Sequence, residues 1–150
     1  MSKEHIKKLI SLAAIVFVIV LVLKMCSGGG NAKSVAIDFA EALLDDADAK
    51  KVVSLMSEEL LESTLRNTGC ATKKVLIEYL DTGLEEQREG YKKVKIKYID
   101  QQKMSDGSIE VYLSFTYTKD KLLSFGDEEV SEQLTITLTK EGSEWKVSDF

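Results

Sequence analysis

The side chains able to do chemistry are few, and their spacing is informative. The one histidine, His5, lies ahead of a long apolar run, so residues 31–150 contain no imidazole for acid–base or metal work. The two cysteines, Cys26 and Cys70, form no Cys-x-x-Cys pair and have no histidine cluster beside them, so zinc is not expected. Asp45, Asp46 and Asp48 suggest calcium, but neither the glycine nor the bidentate glutamate of a calcium loop follows at the required spacing. Gly28-Gly29-Gly30 precedes a helical pattern without Lys-Ser/Thr, so it reads as a tether and not as a phosphate loop. Lys92, Lys93, Lys95, Lys97 and Lys103 are the one basic concentration, with Lys93, Lys95 and Lys97 a candidate interaction patch for anionic headgroups or an acidic partner. Lysines on the outer face of a strand also solvate it and discourage edge pairing.

These residues belong to a chain of 150 with 20 Lys+Arg against 25 Asp+Glu. Residues 1–30 hold four lysines and one acid, so 16 basic and 24 acidic side chains remain beyond them, a formal charge of −8. A domain so acidic is not expected to bind nucleic acid, which needs a positive field. No cofactor motif is present, and none is expected.

Leu9 to Leu23 contains no charged residue and only Ser11 as a polar one. A run with no polar face reads as a signal-peptide core or a membrane helix rather than a buried globular helix. Its fifteen residues span about 22 Å as a helix, short of the roughly 30 Å of a hydrocarbon core. Counting to Cys26 gives eighteen residues and about 27 Å, with Lys24 able to snorkel. Lys3, Lys7 and Lys8 precede the run, which predicts an amino terminus in the cytoplasm and the remainder exported. The expected organisation is a membrane anchor or signal segment over 1–26, a flexible tether over 27–31, and an extracytoplasmic domain over 32–150. The five-residue tether has a root-mean-square reach of about 12 Å, which would keep the domain close to the bilayer if the anchor is retained. Cys26 followed by Ser27-Gly28-Gly29-Gly30-Asn31 resembles the start of a mature bacterial lipoprotein, which implies lipidation at Cys26. Leu23 fits that pattern, while Lys24 and Met25 depart from it. An uncleaved anchor over Leu9 to Cys26, or cleavage by a general signal peptidase near Gly28 to Ala32, are the other two readings.

Beyond Asn31 the apolar period becomes helical. Val35, Phe39 and Leu43 recur beside Ile37, Ala40 and Leu44, predicting an amphipathic helix over Ala32 to Leu44. Asp48 reads as the N-cap of a short helix, Ser57 as the cap of the next, and Thr72 as the cap of a fourth in which Gly83 is a weak point. After Gly90 the period drops to two. Val94, Ile96 and Tyr98 alternate with lysines, Ser105-Asp106-Gly107-Ser108 makes a tight turn, and Ile109 to Tyr117 forms a second strand. A charged loop is expected around Asp120 to Glu129, then strands around Leu134 to Leu138 and Trp145 to Val147. One apolar and one polar face per strand predicts an antiparallel sheet covered on its apolar side by the helices, an α+β class.

Two to four helices followed by a four-stranded meander ending in Gly142-Ser143-Glu144-Trp145-Lys146-Val147 resembles the nuclear transport factor 2-like fold, as in small uncharacterised bacterial lipoproteins. Phe39-Ala40-Glu41-Ala42-Leu43 and Val52-Val53-Ser54-Leu55-Met56-Ser57 add to the likeness. The resemblance implies a first helix across the concave face of a curved sheet, forming a cone able to hold a small apolar ligand. Asp38, Phe39, Tyr98 and Phe115 would be its candidate cavity residues. It also implies that an enzyme of this kind would use a non-histidine pair, Asp38 with Tyr98, Tyr112 or Tyr117, as acid and base. The chain is similar as well to the periplasmic domain of type IV secretion assembly subunits, which implies contact with other subunits of a secretion or conjugation apparatus. The leading expectation is a membrane-attached binding or protein-interaction module without catalysis.

Overall fold

The computed structural model describes residues 31–120 and 126–150, so the anchor, the tether up to Gly30 and Cys26 lie outside the described residues. Four helices come first: α1 (Ala32–Leu44), α2 (Ala49–Leu55), α3 (Glu58–Thr68) and α4 (Lys73–Gly90). Each begins where a side-chain oxygen captures an N–H that the first turn leaves unpaired. Asn31 Oδ1 accepts from Ser34 at 2.8 Å, Asp48 Oδ1 from Lys51 at 3.0 Å, Ser57 Oγ from Leu60 at 3.1 Å and Thr72 Oγ1 from Val75 at 3.3 Å. Gly69 ends α3 in the left-handed region at φ 72°, a conformation that costs a residue with a Cβ. Gly83 does not break α4. The helix runs through it because Leu76 and Leu84, on either side, are both buried.

Strands β1 (Lys92–Lys103), β2 (Ile109–Asp120), β3 (Asp127–Glu141) and β4 (Glu144–Asp149) form one antiparallel sheet in sequence order. The β1–β2 turn closes through Gly107 at φ 89° and a 2.8 Å bond from the Met104 N–H to the Ser108 carbonyl. The charged loop expected over Asp120 to Glu129 is shorter than its composition suggests. The β2–β3 ladder continues to Asp120 opposite Asp127, with Lys119 opposite Glu128, so backbone pairing extends the strands into it. The register of β1 against β2 shifts twice, between Tyr98 and Asp100 and between Lys92 and Lys95, where a bulge holds Lys93 at φ 53°.

The core lies between α1 and the sheet. Ala32, Val35, Ala36, Phe39 and Ala40 are buried on one face of α1, and this helix contacts all four strands. Alanines let the helix backbone approach the sheet, and Phe39, fully buried, shares one cluster with Val111, Leu113, Ile136 and Leu138. Its ring meets Phe150 edge-on at 4.9 Å between centroids. A second cluster joins Leu44 to Phe115 and Tyr117, with the Tyr91 ring edge-on to Phe115 and tilted against Tyr117.

The start of α3 is latched to the far end of the chain. The Ser57 N–H donates to the Val147 carbonyl at 2.7 Å, the Glu58 N–H to Glu141 Oε1 at 2.9 Å, and Lys146 Nζ to the Ser54 carbonyl at 2.9 Å. Glu141 thus sets a carboxylate at a helix amino terminus, where the dipole favours it.

Phe39→Ala should cost about 3–5 kcal/mol, a large share of the roughly 5–15 kcal/mol that holds a domain folded, read as a lower midpoint of the urea transition. At the strained bulge, Lys93→Gly should gain about 0.5–1 kcal/mol while Lys95→Gly loses stability; equal effects would exclude strain at Lys93.

Candidate functional site

The residues named as cavity candidates are dispersed. Asp38 is exposed, on the side of α1 turned away from the sheet, whereas its neighbour Phe39 is core. Tyr98, half-buried on the inner face of β1, carries the Lys33 ammonium 4.2 Å from its ring centroid. Phe115 belongs to the second cluster, beside Tyr117 at 6.0 Å.

The phenols pair with other carboxylates than Asp38. Tyr112 donates to Glu110 Oε2 at 2.6 Å on the outer face of the sheet. Tyr117 donates to Glu132 Oε1 at 3.1 Å on the inner face. The bond to Glu110, then partial burial, raises the Tyr112 phenol above its ordinary range. Burial first, then the bond to Glu132, does the same for Tyr117. Both phenols therefore stay protonated near neutrality, the opposite of what an activated base requires. At the β1–β2 turn, the Ser108 hydroxyl at 2.6 Å and N–H at 2.9 Å hold the Asp106 carboxyl below its ordinary range. Among the described residues no group of His, Cys, Asp or Glu is placed to hold a metal ion, and no helix is long and apolar enough to cross a membrane.

Lys95 and Lys97 are exposed, opposite Thr116 and Ser114, with Lys93 beside them in the bulge. They form a row along β1, an edge strand of the sheet. Trp145 is half-buried, with Lys140 Nζ 5.8 Å from its ring centroid. Cys70 is a free, half-buried thiol between α3 and α4.

A concavity opens elsewhere, between the end of α1, the middle of α4 and Phe150. It has a volume of about 620 Å³ and is lined by Leu43, Tyr79, Leu80, Gly83, Leu84 and Phe150, with Thr82, Glu86 and Gln87 supplying polar atoms. None of Asp38, Phe39, Tyr98 and Phe115 lines it, although Phe39 supports its wall through the Phe150 ring. Tyr79 is 59% exposed and Phe150 48%. Gly83 leaves open space where a side chain would project, at a cost to the helix of about 0.5–1 kcal/mol relative to alanine. The signal in the sequence was the pair Tyr79 and Gly83, one turn apart and adjacent to a row of buried Leu76, half-buried Leu80 and buried Leu84. An exposed aromatic beside a helical glycine is a poor choice for stability alone.

No family model matches the chain, and no curated protein matches it. Among solved structures the chain is similar to a Xanthomonas campestris protein described as a calcium/calmodulin dependent protein kinase II association domain. The two are 22% identical over 79% of this chain and 83% of that one, with a TM-score of 0.43. Likeness of that degree assigns neither ligand nor partner.

The phenols yield a pH dependence whose sign is fixed. A phenol titrating higher in the folded protein than in the unfolded chain, near about pH 10, adds stability that is complete below that pH and lost above it. The melting temperature should therefore fall as pH rises beyond about 10, and the double variant Tyr112→Phe, Tyr117→Phe should flatten the fall. A fall of undiminished steepness would mean that other groups cause it.

Proposed function

We propose that the chain is a membrane-attached, extracytoplasmic binding module of nuclear transport factor 2-like build, without catalysis, and that the concavity between α1, α4 and Phe150 receives an apolar ligand. The observation that carries this reading is the concavity itself: about 620 Å³, walled by leucines and two exposed aromatic rings, with a few polar atoms at one side. Such proportions suit a small-molecule site, where apolar surface supplies affinity and sparse polar groups fix orientation. Attachment to the membrane is supported by the uncharged run Leu9 to Leu23 and the three lysines before it. The absence of histidine from residues 31–150, and phenols held protonated, favour binding over acid–base work. The lysine row on β1 supports a second contact, with anionic headgroups or an acidic protein surface.

In the Cys26→Ser variant, Cys70 should react with a membrane-impermeant maleimide on intact cells; reaction only after lysis would reverse the topology. Detergent extraction should yield the chain alone with about one small apolar molecule. A stable multi-protein complex lacking such a molecule would instead support an assembly subunit.

A further inference from the structure

Gly83 lies in the middle of α4, on the wall of the concavity, and a Cβ placed there meets nothing within 4 Å. Alanine would fit without any clash and strengthen the helix, so nothing in the packing of the fold calls for glycine here. What the missing side chain does provide is depth, between Tyr79 one turn before it and Glu86 and Gln87 one turn after.

The charges restrict the occupant. The wall includes the Glu86 carboxylate and no basic side chain, in a domain whose formal charge beyond residue 30 is −8. An anionic end group would meet like charge while losing water, whereas a neutral or cationic one would not. Size sets its scale, since a concavity of about 620 Å³ matches one small molecule.

We infer that the concavity holds a single hydrocarbon chain bearing an uncharged or cationic polar end, and that the bare backbone at Gly83 is the specificity determinant that admits it. This inference rests on the binding reading above and deepens it. The chain packs against Leu43, Leu80 and Leu84 under the Tyr79 and Phe150 rings, and its polar end reaches Thr82, Glu86 and Gln87.

The full chain in phosphatidylcholine nanodiscs is irradiated with three diazirine probes that share a twelve-carbon chain and end in glycerol, trimethylammonium or carboxylate. Labelled peptides are then mapped by mass spectrometry. The glycerol and trimethylammonium probes should label the peptides carrying Tyr79 to Gln87 and Phe150, and the carboxylate probe at least tenfold less. Gly83→Leu should cut labelling at least tenfold without lowering the melting temperature. Gly83→Ala should cut it less and raise the melting temperature by about 3 °C. Equal labelling by the carboxylate probe, or labelling indifferent to Gly83→Leu, overturns the inference and leaves the binding reading standing. Silence from all three probes overturns both. Photo-leucine cross-links joining the concavity to residues 9–23 or to a second copy also overturn it, by showing a polypeptide occupant.

Discussion

The domain depends on one apolar seam, the face of α1 laid across the sheet. Val35, Ala36, Phe39 and Ala40 leave water together with Val111, Leu113, Ile136 and Leu138, and each large side chain fully buried there contributes about 1.5–3 kcal/mol. Every other element is arranged around that seam. A single helix cannot cover four strands, so α2 packs beside it and α4 behind, with Leu76 and Leu84 directed inward. The concavity follows from the same economy. Turning Leu76 and Leu84 inward leaves the adjacent stripe of α4, Tyr79 and Gly83, facing a gap that Phe150 closes only on one side.

Much of this was legible in the residues because the signals are local. The four strands and the first helix follow from period alone, and Asp48, Ser57 and Thr72 cap the helices assigned to them because capping is decided within three residues. What was hidden depends on tertiary placement. Nothing near Glu141 announces that it caps α3, more than eighty positions away. Lys93 fits the alternation of β1 by type, yet the bulge removes it from the pattern. The burial of the candidate cavity residues depends on placement in a similar way. Asp38 sits beside Phe39 in sequence, but a helix turns consecutive residues about 100° apart, so one is core and the other is exposed. Gly83 was visible only as a weakness in a helix, because its open surroundings are a property of the packed molecule.

The electrostatic arrangement is consistent across the molecule. The tyrosine hydroxyls of β2 are each used by a glutamate, one per face of the sheet, and both stay protonated. Lys95 and Lys97 give the edge strand β1 a charged margin that discourages further strand pairing. The Lys33 ammonium over the Tyr98 ring fastens the first turn of α1 to that same strand.

The tie between Ser57 and Val147 also governs time. A ribosome makes α1, α2 and α3 long before the last hairpin, and the seam and the latch both require strands from the final third of the chain. Until those arrive, the apolar stripe of α1 has no sheet to cover, and contacts so distant along the polypeptide form slowly. In that interval Phe39 and its neighbours lack the partners that bury them.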